Sequence, residues 1–384
     1  MAECDDGKRV AFVTHTAQLG GAEIALTNLL PGVTPHFPTL VISGQSGPLL
    51  NRLSVIPVSV EVVPCPSIFT SCDERRKGRN TTRFRLCFEL VGWAVRLARA
   101  LKRKRSAIVY TNTLRSHVAG GLAGRWVGAP VVWHLRDRLS SGQLARAEVD
   151  LLLRLSRILP TRIAAVSEAV RATLPPEAIE KAEVIYDGVA IPECRSSKPK
   201  KPPRIVMMGR LAPWKGQHIF LAAIKRLSQR RPCLQVEVMG TPLFGEENYE
   251  KRLRWQAAEI TGGGAVRFTG FIEEPLRFLS GATVAVHAST EPEPFGQVII
   301  EAMAAGVPVV ASRLGGPLEI VEDGVTGLLS PPGDPIALSA CIERLILDPA
   351  YRDEITIRAR LMVAERFPIE ATQRGVRRLL EAVE

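Results

Sequence analysis

The fold is indicated most clearly by Glu291-Pro-Glu-Pro-Phe-Gly-Gln-Val-Ile-Ile-Glu301-Ala-Met-Ala-Ala-Gly-Val-Pro-Val-Val-Ala311. An apolar strand is expected to end near Ser289, a loop with two prolines follows, and a helix is predicted from Gly296 to Ala305. A tight loop between a strand and a helix start is the geometry that binds phosphate, because free backbone N–H groups and the positive end of the helix both face the anion. Gly296 allows close approach of the backbone to such a ligand.

Two glutamates bracket the start of this predicted helix. Glu293 precedes it, and Glu301 lies in its second turn, roughly 7–8 Å along the axis from the helix start. A diphosphate at the helix start would have one carboxylate on each side, and carboxylates accept hydrogen bonds from the hydroxyls of a sugar and a ribose. The spacing alone fits equally well a capping acid at Glu293 and an ordinary helix glutamate at Glu301.

Strands alternate with helices on both sides of this segment. Short apolar runs are predicted to be strands at Arg9–Thr14, Pro38–Ile42, Val60–Val63, Ala107–Tyr110, Val131–Trp133, Ile163–Val166, Arg204–Met208, Gln235–Met239, Val266–Thr269, Thr283–His287 and Pro308–Ser312. Helices are predicted from about Gly21 to Leu30 and at Arg83–Lys102, Ser116–Val127, Ala145–Ile158, Gln217–Gln229, Tyr249–Ile260, Gly296–Ala305 and Pro335–Leu347. This alternation indicates parallel sheets covered by helices on both faces, with ligands at the carboxyl ends of the strands.

The length of 384 residues suggests two domains. A stretch rich in Pro and Lys, residues 196–203, reads as the linker between an N-terminal domain (1–195) and a C-terminal domain (204–368). Residues 369–384 are expected to form a terminal helix that packs back on the first domain. The predicted fold class is therefore α/β, with two doubly wound, Rossmann-like domains and a cleft between them.

Several motifs, in order along the chain, resemble glycosyltransferase family 4. Glu293 and Glu301 look like its Glu-x7-Glu signature, Met208-Gly-Arg-Leu-Ala-Pro-Trp-Lys-Gly216 is similar to its Gly-Arg-Leu…Lys-Gly motif, and Gly306–Ala311 matches its C-terminal pattern. Family members are retaining enzymes with the GT-B fold. The resemblance implies a retaining transferase that moves a sugar from a nucleoside-diphosphate donor to an acceptor hydroxyl, in the synthesis of a polysaccharide, glycolipid or glycosylated metabolite.

The resemblance also assigns residues to roles. Glu293, Arg210, Lys215 and His134 are the candidate catalytic residues, and Arg210 and Lys215 would neutralise the donor diphosphate. The candidate donor-binding set is Gly20, Gly21, Arg210, Lys215, Glu293, Phe295, Gly296, Gln297, Val298 and Glu301. The nucleotide base is expected near residues 240–246 and 271–272.

Two candidates in the first domain follow predicted strands. Gly20 and Gly21 form a loop before the first helix, which fits either a phosphate-binding loop or a tight turn. His134 is placed at the end of its strand, beside the transferred sugar; a structural histidine is the alternative. Arg136 and Asp137 are weaker candidates for acceptor contacts.

No metal is expected to take part. The chain contains no Asp-x-Asp and no cluster of His, Cys and carboxylate residues at ligand spacing. The seven cysteines are scattered and odd in number, so neither a zinc site nor a disulfide framework is indicated. Reduced thiols, a polar N-terminus and the lack of a long apolar run favour a cytoplasmic enzyme.

The net charge of +11 is confined to the N-terminal half. Residues 1–200 carry 28 Lys and Arg against 17 Asp and Glu, whereas residues 201–384 carry 22 of each. Residues 71–115 hold 13 basic and 3 acidic residues, including Arg75, Arg76, Lys77 and Arg79 in a predicted loop insertion over 68–82. Either this is a solvated face, or the first domain contacts an anionic membrane that carries the acceptor. No nucleic-acid partner is expected.

The helix after this insertion is predicted to bury one apolar stripe, which consists of Phe84, Phe88, Val91, Val95 and Ala98 and is widened by Leu86, Leu90, Trp93 and Leu97.

Two other classes of function remain open for the whole chain. One is a sugar-nucleotide epimerase or phosphorylase of the same fold, and the other is a non-catalytic sugar-nucleotide binding protein.

Overall fold

The computed structural model describes residues 8–67, 80–140, 144–192, 202–231, 233–243, 245–260 and 266–384. The chain divides into two compact units, the first comprising Met1–Asp187 with Ile369–Glu384 and the second Gly188–Pro368. The first unit therefore ends eight residues before the predicted domain boundary at 195. Of the predicted linker, residues 196–201 lie outside the described residues.

Seven parallel strands form the sheet of the first unit, in the order β3-β2-β1-β4-β5-β6-β7. They are β1 (Arg9–Thr14), β2 (Thr39–Ser43), β3 (Ser59–Val62), β4 (Ser106–Thr111), β5 (Val131–Leu135), β6 (Arg162–Ala165) and β7 (Ala182–Val184). Helices α1 (Gly21–Leu29), α2 (Pro48–Leu53), α3 (Asn80–Arg103), α4 (Leu114–Val127), α5 (Arg146–Ser156), α6 (Glu168–Arg171) and α7 (Pro176–Ile179) connect them. The central strands are buried on both faces, as their continuous apolar sequences require.

The sheet of the second unit repeats this order with six parallel strands, β10-β9-β8-β11-β12-β13. Its elements are β8 (Arg204–Met208), α8 (Gln217–Arg230), β9 (Gln235–Met239), α9 (Glu247–Ala258), β10 (Val266–Gly270), α10 (Pro275–Leu279), β11 (Val284–His287), α11 (Gln297–Ala304), β12 (Val309–Ser312), α12 (Pro317–Ile320), β13 (Leu328–Ser330), α13 (Pro335–Leu347) and α14 (Pro349–Arg366). The direction of strand order reverses between β8 and β11, and ligands of such sheets bind at this switch point.

The last helix, α15 (Ile369–Glu381), belongs to the first unit. Its Val376, Leu379 and Leu380 are buried in the core formed by β1, β2, β4 and α1. The chain therefore enters the second unit after Asp187 and returns to the first after Pro368.

The predicted fold class of two doubly wound α/β domains is confirmed. Each predicted strand corresponds to an observed one, with ends that differ by at most two residues. The three-residue strands β7 and β13 and the helices α2, α6, α7, α10, α12 and α14 were not predicted. Two boundaries were wrong in ways that matter for function. His134 is the fourth residue of the five-residue β5 rather than its end, and residues 80–82 belong to α3 rather than to a loop.

The apolar stripe predicted for α3 was wrong at its centre, whereas Trp93 and Leu97, which were predicted to widen it, are buried. Trp93, Leu97 and Leu101 are fully buried, and the Trp93 indole N–H donates to the carbonyl of Val63 at 3.0 Å. Phe88 and Val91, predicted to be buried, are 79% and 44% exposed. The side chains of Phe84 and Leu86 lie outside the described residues. Spacing alone could not choose between the two faces, because apolar residues occupy both.

Candidate functional site

Four side chains converge at the switch point of the second sheet, and we call them the Glu293 cluster: Lys215, His287, Ser289 and Glu293. The Glu293 carboxylate accepts from the Lys215 ammonium through Oε1 at 2.6 Å and from the Ser289 hydroxyl through Oε2 at 2.8 Å. His287 Nε2 lies 3.2 Å from the same Oε2. The sequence predicted Lys215 and Glu293 as site residues, and the structure brings them into direct contact.

The elements that hold this cluster are the two strands at the switch point. Lys215 follows β8, whereas His287 is the last residue of β11 and Ser289 and Glu293 follow it. Gly216, at φ +74°, lets the two loops approach, because a Cβ there would lie 1.9 Å from the carbonyl oxygen of Ala288. The backbone carbonyl of Glu293 accepts from the N–H of Gly316 at 2.8 Å. The position of the carboxylate is therefore fixed from both its backbone and its side chain.

Electrostatics keep Glu293 ionised. Burial alone would raise the pKa of its carboxyl, but the charge of Lys215 and the hydrogen bond from His287 outweigh it and hold the pKa well below its usual range. A buried carboxylate of this kind can accept hydrogen bonds or stabilise positive charge, but it is not a proton donor near neutral pH.

The start of α11 lies in the loop that follows the cluster. Gly296 precedes α11 with φ +119° and, as a glycine, offers no side chain that could cap this helix. Val298 is in its first turn. Gln297 donates to the carbonyl oxygen of Gly188 at 3.2 Å and lies 3.5 Å from Glu301 Oε1. Glu301 thus lies in the second turn, where the sequence placed it.

Two predicted donor residues have protein partners in this unit. Arg210 lies 3.7 Å from a carboxylate oxygen of Glu246, and its guanidinium is 5.8 Å from the Trp214 ring centroid. The Phe295 ring is buried and packs edge-on against Phe367, with ring centroids 5.6 Å apart. The predicted base region around 271 includes Phe271, which is 40% exposed.

In the first unit, His134 is fully buried and forms part of a polar network. Its Nδ1 accepts from the Tyr110 hydroxyl and from Arg136 Nη2 at 3.1 Å. Because a guanidinium only donates, Nδ1 is the acceptor and the ring proton is on Nε2. Burial, the positive charge of Arg136 and the nearby His117 hold the pKa of His134 well below its usual value, so the ring is neutral. Its Nε2 has no hydrogen-bond partner among the described residues.

Arg136 holds this network together. Its guanidinium pairs with the Asp187 carboxylate, and its Nε donates to Asn112 Oδ1 at 3.0 Å. Asn112 in turn donates to the carbonyl of Ala22 in α1 at 2.8 Å. Arg136 was a weak candidate for acceptor contacts; in the structure it is buried and bonds to His134, Asn112 and Asp187.

The Gly20–Gly21 loop already has an acid at its helix start. Gly20 is the residue before α1, and a Cβ there would lie 2.9 Å from Oε2 of Glu23. Glu23 is buried and accepts from the Thr14 hydroxyl at 3.1 Å. Burial raises the pKa of Glu23 to about 7, although backbone hydrogen bonds at Glu23 and Gly20 lower it. Glu23 was missed by the sequence reasoning.

His287 and Ser289 were also missed. The signal that could have identified His287 is the one that pointed to His134, a histidine in an apolar strand close to the carboxyl edge of a parallel sheet.

Among the described residues, no three His, Cys, Asp or Glu side chains converge as metal ligands. Within the same residues, no helix is long and apolar enough to cross a membrane.

Comparisons with known proteins agree with this fold. A chain with two parallel sheets in this strand order has the architecture of GT-B glycosyltransferases, and the solved structure of Anabaena Alr3699/HepE in complex with UDP-glucose matches it with a TM-score of 0.85 at 26% identity, covering 97% of this chain and 99% of that one. Sucrose-phosphate synthase from Thermosynechococcus elongatus shares the fold, with a TM-score of 0.78 at 20% identity.

The sequence of the second unit matches a family model. Residues 193–362 match the model described as Glycosyl transferases group 1. The lipopolysaccharide core biosynthesis glycosyltransferase LpsE of Rhizobium meliloti is 32% identical over 48% of this chain and 51% of its own length. A D-inositol 3-phosphate glycosyltransferase of Nocardioides sp. is 28% identical over 74% of this chain and 71% of its own. The chain thus spans about half the length of LpsE.

Proposed function

We propose that this chain is a retaining glycosyltransferase that moves a sugar from a nucleoside-diphosphate-sugar donor to an acceptor hydroxyl. The observation that carries the proposal is the ionised Glu293, hydrogen-bonded to Lys215 in the loop before Gly296, the residue that precedes α11. Cation and helix start together offer a diphosphate site, and the carboxylate offers an acceptor for sugar hydroxyls.

Each group has a role in this proposal. Lys215, Arg210 and the backbone N–H groups at the start of α11 neutralise the diphosphate and the charge that grows on the leaving nucleotide. Glu301 accepts from the ribose and Glu293 from the transferred sugar. His134 is proposed to donate its Nε2 proton, which has no partner among the described residues, to a hydroxyl of the transferred sugar. The cations supply the charge neutralisation that a metal would otherwise give, so we propose that the reaction is metal-independent.

The test is a reaction in EDTA followed by NMR of the product. Because Alr3699/HepE was solved with UDP-glucose, UDP-glucose is the first donor to test, and a thermal-shift screen over UDP, GDP and ADP ranks the bases. The expected outcome is an α-linked product from the α-linked donor. A β-linked product would contradict retention, and activity that only Mg²⁺ restores would contradict metal independence.

Donor incubated without acceptor separates the alternative functions. An epimerase would change the donor sugar, a phosphorylase would require phosphate, and a binding protein would do neither. The comparisons give no support to these alternatives, since the matched family and relatives are named as glycosyltransferases.

We also propose that the enzyme is cytoplasmic and contacts an anionic membrane through residues 71–115, where it would find a lipid-linked acceptor. Phe88 and Val91 are exposed on α3, with the exposed Arg96 and Arg99 on the same helix. Part of the basic end of α3 is neutralised, because Arg103 and Lys104 both pair with Glu61. The loop residues Arg75, Arg76, Lys77 and Arg79 lie outside the described residues.

Flotation on anionic and neutral liposomes tests this contact. Binding is expected only to anionic vesicles at low salt, and replacing Phe88 and Val91 by Ser is expected to weaken it. The matched control is Leu361→Ser, which removes an apolar side chain that is 66% exposed in the second unit. A wild-type protein that stays unbound at low salt would make the acceptor soluble and the charge a solvated face.

A further inference from the structure

His287 is the member of the Glu293 cluster that the proposed chemistry leaves without a role. It ends β11, directly after the apolar residues Val284, Ala285 and Val286, and it is only 3% exposed. An imidazole in a buried strand costs free energy that an apolar residue would not. Its Nδ1 has no partner among the described residues, so hydrogen bonding within the core does not account for the ring.

The hydrogen bonds of the cluster fix the proton of His287. The pKa of Glu293 is held low, so its Oε2 can only accept a hydrogen bond. Ser289 gives its single hydroxyl proton to this Oε2 at 2.8 Å, so the Ser289 oxygen is an acceptor toward His287 at 3.1 Å. Both neighbours of Nε2 are therefore acceptors, and Nε2 must carry a proton.

This arrangement holds the Glu293 carboxylate at both oxygens. Lys215 holds Oε1, and Ser289 and His287 together hold Oε2. Without the imidazole, only one neutral hydroxyl would hold Oε2, and the carboxylate plane could turn about its bond to Lys215. Groups that receive substrate hydroxyls need their orientation fixed within a few tenths of an ångström.

We propose that His287 is a positioning residue that sets the orientation of the Glu293 carboxylate, and through it the recognition of the donor sugar. This inference rests on the proposed function. It assigns His287 to the sugar rather than to the nucleotide, because the imidazole touches only the carboxylate and Ser289 within the cluster. Loss of the imidazole should therefore impair the binding and turnover of UDP-glucose and leave the affinity for UDP nearly unchanged.

The experiment compares three substitutions at position 287. His287→Gln can place an amide N–H near the position of Nε2, His287→Asn places it nearer Nδ1, and His287→Leu removes the hydrogen bond. Affinities for UDP and UDP-glucose are measured by calorimetry. Steady-state kinetics with UDP-glucose give kcat and KM. We expect His287→Leu and His287→Asn to lower kcat/KM by about 10-fold or more while the Kd for UDP changes by less than about 2-fold. His287→Gln is expected to recover most of the loss.

The same substitutions are repeated in a Glu293→Gln background. If His287 acts through the carboxylate, His287→Leu has little further effect there. Equal weakening of UDP and UDP-glucose, a His287→Gln variant as impaired as His287→Leu, or full additivity with Glu293→Gln would each overturn the proposal. Should His287→Leu fail to fold, the contrast between Gln and Asn decides.

A measurement without substrate separates this inference from the proposed function. Nitrogen-15 NMR of the histidine rings is expected to show His287 protonated at Nε2, with a resonance that shifts in Glu293→Gln and Ser289→Ala. A ring without a proton on Nε2, or one insensitive to both changes, overturns the inference whatever the enzyme transfers. Correct NMR with no response to any nucleotide would instead count against the proposed function.

Discussion

Helices α1 and α11 both begin after a glycine at the carboxyl edge of a parallel sheet, and a buried glutamate lies close to each start. In α1 the acid is inside the helix, and the Glu23 carboxyl reaches back toward Gly20. In α11 it precedes the helix, and the Glu293 carboxylate bonds to Lys215 and Ser289. The acid of α1 therefore lies at the start of its own helix, whereas the acid before α11 is held by partners outside that helix.

The pKa values of the two carboxyls also differ, because their partners differ. With no cation in direct contact, burial dominates at Glu23 and raises its pKa to about 7. At Glu293 the direct contact with Lys215 outweighs burial and lowers the pKa. A glycine before a helix thus does not by itself identify a phosphate site; the position and partners of the nearest acid matter as well.

The largest expected effect comes from a methyl group at the start of α11. Gly296→Ala must adopt φ +119°, which is strained for a residue with a Cβ, and its Cβ would lie 2.9 Å from Ile299 Cδ1. We expect affinity for UDP to fall on the order of 100-fold, measured by calorimetry. Gly21→Ala is the matched control at α1, since a Cβ there meets nothing within 4 Å. Equal losses from both variants would make the two helix starts equivalent.

A smaller effect is expected at the acids around α11. Glu301→Ala removes the proposed ribose contact and should weaken UDP binding by about 10- to 100-fold, as a lost hydrogen bond to a charged group does. Glu293→Ala should leave UDP affinity nearly unchanged and lower turnover with UDP-glucose. Calorimetry with UDP and steady-state kinetics measure the two quantities. If both substitutions weakened UDP alike, the division between ribose and sugar would be wrong.

The smallest effect is on stability and concerns the α1 acid. The folded-state pKa of Glu23, about 7, lies above the unfolded value of 4.5, so the carboxyl destabilises the fold increasingly as pH rises from 4.5 through 7. Between pH 6 and pH 8 this costs about 1 kcal/mol. Glu23→Gln should remove that loss, as seen in urea unfolding at the two pH values. Glu183→Gln, at a more exposed acid of the same unit, is the control. An unchanged pH dependence in Glu23→Gln would mean that Glu23 is ionised throughout.

Much of the fold was predictable because parallel strands buried on both faces are continuous apolar runs. The eleven predicted strands include the four on either side of the two switch points, β1, β4, β8 and β11. The strands β7 and β13 were not predicted because they have three residues each, too few for a periodic signal. The face that α3 buries could not be predicted, because which apolar side chains meet the sheet depends on how the helix is rotated.

Site residues that lie in a recognisable motif could be predicted from the sequence. Residues whose significance depends on packing could not. Lys215 and Glu293 lie 78 residues apart in sequence, and only the resemblance of their two motifs to one family suggested that they belong together. Their contact arises because β8 and β11 are neighbours. His287 and Glu23 sit in stretches that read as strand and helix, and their significance comes from burial. The partners that set a buried carboxyl's charge are not visible along the chain.

The return of the chain to the first unit through α15 bears on how such enzymes can be recombined. Since Val376, Leu379 and Leu380 complete the core of the first unit, a fragment ending at Asp187 would expose that core to water. The second unit is topologically an insert, with both of its ends joined to the same neighbour. Exchanging the second unit between relatives therefore requires replacing an internal segment, Gly188–Pro368, and a simple head-to-tail chimera would leave its N-terminal parent incomplete.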